Sequence, residues 1–332
     1  MTADSRQDGD FLGRIIRAAG RREAAPNEIR DRVFAAASAT LEARLQIHRQ
    51  RTTWRAAAVA AVVLAAVGVG LVTWRNGPAL PVALSDQFVG EATFRGRDSD
   101  PWASLVRDRK LLTGSQVRTG RGGRVGLILA QGASLRLDEL TEVRLAGPTR
   151  VEVLAGTVYV DARAIGSPID VVTPVAVTRD VGTQFEVRYR EREQRVRVRE
   201  GTVVMRLGTQ EYRSGAGEQL LVSPAGEVQR AVIATDDSSW EWVQLVVRTP
   251  DIENRPLSEL LEWVARETGR PMRYESPAVR ALTQSTILHG SIRNLAPLPA
   301  AQTVLATTDL DLEILADGSL LLKGRNRGGQ FR

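Results

Sequence analysis

The pattern of apolar and polar positions changes character three times along the chain. Over the first 45 residues it is helical. Phe11, Leu12, Ile15 and Ile16 share one face up to Gly20. A second helical pattern opens at Pro26 and Asn27, with Glu28 and Asp31 in its first turn, where acids suit the positive end of the helix dipole. Ile29, Val33, Ala37, Leu41 and Leu45 then recur every fourth residue as a single apolar stripe. So small a helix pair buries little surface by itself. The stripe is therefore either one face of a helix leaning on its neighbour or a docking face that orders on a partner.

Between Trp54 and Trp74 the alternation stops. No charge occurs from Ala56 to Trp74, and at 1.5 Å per residue the two indoles stand roughly 30 Å apart on a helix, the thickness of a bilayer's hydrocarbon core. Indole rings favour the interface, and the flanking Arg55 and Arg75 suit the headgroups. A signal peptide would start near residue 1, and a core helix would show a polar face. The pattern predicts one transmembrane helix over 55–75. Arg44, Arg49, Arg51 and Arg55 precede the span and Arg75 alone closely follows it, which places the N-terminus in the cytoplasm and the long remainder outside.

A linker is predicted over 76–86, around Asn76, Gly77, Pro78 and Pro81. From Gln87 to about Arg230 the period is two. Short runs such as RVGLILA, SLRLD, RVEVL, TVYVDA, TQFEVRY and RVRVRE are separated by glycine-containing turns, with one helical excursion predicted over Pro101 to Arg109. So many short strands without long helices imply a β-sandwich, barrel or β-solenoid over 87–235. Asp236 to Ser239 form a polar joint. In 240–325 the pattern mixes. VQLVV reads as a strand, and Pro256 opens a helix with Leu257, Leu260, Leu261 and Val264 on one face, ended by Gly269 and Pro271. MRY, a run near Ile287 to Ile292, a helix from Pro299 to Thr307, and a hairpin of LEIL and SLLL through Asp317–Gly318 complete a βαβ–βαββ unit. The fold class expected is mainly β with α+β, preceded by the helical segment 1–54 and the span.

Charge sharpens this picture. Residues 1–75 hold 12 arginines against 7 acids, whereas the remaining residues hold 33 basic against 32 acidic side chains. The surplus lies beside the predicted membrane, where anionic headgroups attract it. The near-neutral remainder offers no face for direct nucleic-acid binding. The chain has no cysteine, so it has neither disulfides nor thiolate metal sites.

Catalytic constellations are missing from the sequence. The two histidines, His48 and His289, lie far apart on opposite sides of the predicted span, so no Ser-His-Asp arrangement or metal cluster can be assembled from them. TGRGGR at Thr119–Arg124 resembles a phosphate cradle, but no helix follows it and a β-turn is the simpler reading. Tyr159 and Phe185 read as strand aromatics of a core. The alternating-charge run Tyr189–Glu200 reads as a solvated hairpin face. No enzyme activity, metal or cofactor is expected.

Several of these runs resemble the FecR family, membrane partners of extracytoplasmic-function (ECF) sigma factors. LLTGSQVRTGRGGRVGLILAQGASLRL is similar to the family's opening repeat, with Gly114, Thr119, Gly120, Gly132 and Ser134 at its turns. RVEVLAGTVYVDA, VGTQFEV with Gly182, Thr183 and Phe185, and the turns at Gly201 and Gly217 follow in the family's order. Residues 249–324 resemble the secretin and TonB short N-terminal (STN) domain. The front departs from the family's pattern, being shorter and lacking a tryptophan before Trp54.

The resemblance implies a single-pass inner-membrane regulator whose C-terminal domains are periplasmic. It implies two partners, a cytoplasmic ECF sigma factor and the signalling domain of a TonB-dependent outer-membrane transporter, with release through proteolysis near or within the span. The stripe Ile29, Val33, Ala37 and Leu41 is the candidate sigma contact. The exposed edge of LEIL or SLLL is the candidate periplasmic contact. The alternative is an envelope structural protein, bound to peptidoglycan or a secretin-like assembly and anchored by one helix.

Overall fold

A computed structural model describes Glu28, Asp31 and residues 81–162 and 167–325. The chain divides into two compact units, Met1–Gly77 and Pro78–Arg332. In the first, Glu28 and Asp31 are helical and exposed, as the start signal at Pro26 predicts. The stripe Ile29, Val33, Ala37 and Leu41, and the span 55–75 with Trp54, Arg55, Trp74 and Arg75, lie outside the described residues. Among the described residues no helix is long and apolar enough to cross a membrane.

The second unit opens with a β-sandwich. Its first strands are β1 (Pro81–Val89), β2 (Ala92–Arg95), β3 (Ala103–Ser104), β4 (Lys110–Leu112), β5 (Gln116–Thr119), β6 (Arg124–Leu129), β7 (Ser134–Leu137), β8 (Glu142–Gly147) and β9 (Arg150–Asp161). They are followed by β10 (Asp170–Val172), β11 (Val177–Asp180), β12 (Gln184–Arg190), β13 (Glu193–Glu200), β14 (Thr202–Leu207), β15 (Gln210–Gly215), β16 (Glu218–Val222) and β17 (Val228–Val232). One sheet runs β4-β1-β6-β7-β9-β12-β13-β16-β17. The other runs β3-β2-β5-β8-β9-β10-β11-β14-β15. Every pairing is antiparallel except that of β9 with β10.

Alternation drives the layering. In β8, Val143 and Leu145 point into the core while Glu142 and Arg144 stay half-buried; in β13, Val196 and Val198 point inward. Leu127, Leu135, Val160, Phe185 and Val187 fill the space between the sheets. RVEVL and TVYVDA, read from sequence as two strands, form the single strand β9. It bends at Gly156 and passes from one sheet to the other, so its first half pairs with β8 and its second with β7 and β12.

Three local expectations are corrected. The predicted linker 76–86 ends early, because β1 begins at Pro81, held by β4 and β6 on either side. Pro101 to Arg109 holds the short strand β3 and a loop rather than a helix, since Leu105 alone of its apolar residues is buried. VQLVV forms the end of a helical turn rather than a strand. Val243 packs on Trp240 and Tyr159, which rewards a compact turn over an extended run.

The C-terminal module begins with that turn, α1 (Glu241–Gln244). It continues through β18 (Arg255–Pro256), α2 (Leu257–Thr268), β19 (Met272–Tyr274), α3 (Pro277–Ser285), β20 (Ile287–Leu288), α4 (Pro297–Leu305), β21 (Leu310–Ile314) and β22 (Leu320–Gly324). Helix α2 follows its predicted face, with Leu257, Leu260, Leu261 and Val264 in a second core alongside Ala300, Leu310 and Leu320. Helix α3 is an addition, capped by the Ser276 hydroxyl accepting from the Val279 amide. The strand expected near Ile287 to Ile292 shrinks to two residues paired with β18. The three-stranded sheet has the order β19-β22-β21.

Candidate functional site

The motif residues Gly182, Thr183, Phe185 and Gly201 converge, but on a structural junction. Phe185 is fully buried between the sheets. The turn after β11 is tied by the Asp180 carboxylate, which accepts from the amides of Ile169 and Gly182. Burial pushes the Asp180 carboxyl upward, against the pull of those backbone donors. Gly201, at φ +82, lies against this turn. A Cβ there would stand 2.6 Å from the Thr183 methyl and 2.8 Å from the Gly182 carbonyl, so only glycine fits. The Thr183 hydroxyl is buried without a hydrogen-bond partner.

A second constellation lies where the C-terminal module covers the outer face of the β7–β9–β13 sheet. Alternation aims Arg136, Tyr159 and Arg199 out of the sandwich, yet all three are buried; Tyr159, expected in a core, packs with Trp240 and Val243 outside the sheets rather than between them. Arg136 donates to both carboxylate oxygens of Glu267 on α2, at 2.7 and 3.1 Å, and to the Val243 carbonyl at 3.2 Å. Both partners of this pair are 2 % exposed. Burial acts to lower the Arg136 pKa, but the charge and hydrogen bonding of Glu267, together with Tyr159 and Asp161, raise it, and the net direction is upward. The guanidinium stays charged.

Arg199 donates from Nε to the Thr235 carbonyl at 2.8 Å and from Nη1 to the Glu267 carbonyl at 3.0 Å. Its guanidinium also lies 5.4 Å from the Trp240 ring centre, and that of Arg136 lies 5.4 Å from the Tyr159 ring centre. The two aromatic rings meet edge to face at 6.0 Å. Burial raises the Tyr159 phenol well above its ordinary value, so it remains neutral. Gly269 closes α2 in the left-handed conformation against this cluster. A Cβ there would lie 2.2 Å from the Thr235 carbonyl and 2.4 Å from Arg199 Nε. The polar joint expected at Asp236 to Ser239 is thus a packed turn. Asp237 accepts from the Ser239 amide, and Trp240 inserts behind it.

Two open clefts flank this seam, of about 860 and about 520 Å³, and both reach Glu200, Pro250, Trp263 and Arg266. Their walls mix both signs of charge. Among the described residues no group of three or more His, Cys, Asp or Glu side chains is placed to hold a metal ion. His289 accompanies Glu253 on the surface at 3.0 Å. The Gly290 amide and His289 together hold the Glu253 carboxyl below its usual range. At Thr119–Arg124 the chain makes a tight turn, and the Gly122 amide is taken by the Glu139 carboxylate at 2.7 Å.

Of the two edges proposed for strand addition, SLLL is corrected. It forms β22, which is central because β19 and β21 occupy both its sides. LEIL lies in β21, whose outer side has no neighbouring strand among the described residues and whose Ile314 is 49 % exposed.

Sequence reasoning missed Arg136, Glu267 and Trp240. One signal was present: Glu267 falls seven residues after Leu260 and three after Val264, on the apolar face of α2, where an acid requires a partner. Arg136 sits between Leu135 and Leu137 like any solvent-side strand residue. Only the covering module distinguishes it.

No curated protein matches the sequence. Two crystal structures of a candidate anti-sigma factor from Parabacteroides distasonis share 20% identity with the chain. They align over 63% and 62% of this chain and 98% and 97% of their own, at TM-scores of 0.35 and 0.36. The family model described as FecR protein matches residues 115–204, from the start of β5 through the first half of β14, including the junction of Gly182, Thr183, Phe185 and Gly201. The sandwich of this chain therefore carries a FecR-family domain.

Proposed function

We propose that the chain is a FecR-type transmembrane regulator that relays a periplasmic signal to an ECF sigma factor. The observation that carries this reading is the FecR-family match across the middle of the sandwich. In this reading residues 55–75 cross the inner membrane and the N-terminal stripe Ile29, Val33, Ala37 and Leu41 holds the sigma factor. The C-terminal module, which resembles an STN domain, meets the signalling domain of a TonB-dependent transporter. The outer edge of β21, which has no neighbouring strand among the described residues, supports the last point, because such an edge offers its backbone donors and acceptors to a partner strand. The proposed work is binding and transmission rather than chemistry on a substrate. Lipid and two proteins are the partners, with no cofactor and no direct nucleic acid.

The test is capture from mild-detergent extracts with the full chain as bait. Recovery of an ECF-type sigma factor, lost on Val33→Asp with Leu41→Asp, supports the regulator. Recovery of peptidoglycan or secretin components alone, unchanged by those substitutions, supports an envelope anchor instead.

A further inference from the structure

We infer that the Arg136–Glu267 pair is an inter-module lock that makes the FecR-family sandwich and the C-terminal module move as one body. Modules in one chain ordinarily shift against each other unless the interface resists it. Here the interface holds a charge pair with both partners out of water, and its geometry satisfies them. Arg136 uses two nitrogens on the two oxygens of Glu267 and shares one with the Val243 carbonyl.

The lock spans three separate pieces of chain beyond the sandwich strands. Val243 belongs to α1, Glu267 to the last turn of α2, and the Thr235 carbonyl held by Arg199 to the segment leaving β17. On the sandwich side the anchoring residues come from β7, β9 and β13, the middle of the sheet. Separating the modules would strand a guanidinium and a carboxylate and part Tyr159 from Trp240. Sliding them by one residue would misalign the two-nitrogen, two-oxygen contact. The lock thus fixes orientation as well as contact, a role for which buried ion pairs are suited even where they add little net stability.

The consequence is mechanical. A partner engaged at β21 cannot reorient the module freely, so its pull or twist reaches β7 and β13 directly. This inference does not depend on who the partner is or where the chain resides.

The absence of native cysteines permits a direct test on the full chain. Nitroxide labels at Leu112→Cys on the sandwich and Leu282→Cys on the module, both exposed, report the inter-module distance by pulsed electron resonance. A single narrow distribution is expected. Glu267→Gln and Arg136→Met should each raise the separated population by on the order of 100-fold, and combining them should cost less than the sum of the two. Folded variants with the parental distance distribution would overturn the lock. Should either variant fail to fold, amide exchange of the parental chain decides. Equal protection of β7 and the seam residues 240–247 supports the lock, and seam exchange about 100-fold faster than β7 overturns it.

Discussion

At the residue scale, most positions obey alternation and a few are decided by what covers them. Leu135 points between the sheets with none of its surface exposed, so Leu135→Ala should lower unfolding free energy by about 2–5 kcal/mol in urea titrations. Gly201→Ala meets both a left-handed φ and a blocked Cβ, and should cost about 1–3 kcal/mol, read in the same way. Exposed carboxylates set part of the acid limb. Asp317, Glu253 and Asp237 lie below their ordinary values, chiefly through hydrogen bonds from Ser319, Gly290 and Ser239. Their contribution is present above the unfolded pKa of about 4 and is lost as pH falls through the lower folded value. Asp180 has the opposite sign, because burial raises it and protonation relieves its cost as pH falls. Asp317→Asn should therefore flatten the fall of melting temperature below about pH 4, whereas an unchanged slope would remove Asp317 from the account.

At the element scale, the sequence reading succeeds where a local pattern decides and fails where a distant neighbour does. Helix α2 was legible from Pro256 to Gly269 because its apolar face, its start and its left-handed stop are all local. The β21–β22 hairpin was legible from Asp317–Gly318 for the same reason. VQLVV was not, since its fate rests on Trp240 and on Tyr159, 80 or more residues earlier. Nor was the continuity of β9, because Gly156 bends the strand without ending it. Arg199 completes a run that reads as solvated, and burial arrives only with Thr235 and Glu267. The edge strand offers its own test. Leu312→Pro in β21 removes a backbone donor, and Ile314→Lys adds a charge to the open edge. Ile314→Lys should abolish binding of a transporter signalling domain by calorimetry while leaving the melting temperature within about 2 °C of the parent. Undiminished binding would place the contact elsewhere.

At the scale of the whole molecule, a sandwich, a module and the seam between them form one compact unit from Pro78 to Arg332. The change in hydrophobic period near residue 240 coincides with the step from the strands ending at β17 to the helices that begin at α1. The seam was not legible in the sequence, because it depends on the faces that two separately patterned segments present to each other. In the proposed relay this unit meets the periplasmic partner, and residues 1–54 meet the sigma factor. That arrangement requires the two ends of the chain to lie in different compartments. The most direct measurement is a pair of full-length fusions at Arg332, one to alkaline phosphatase and one to a fluorescent protein that matures only in the cytosol. The account predicts an active phosphatase and a dark fluorescent fusion; a bright fluorescent fusion with inactive phosphatase would contradict it.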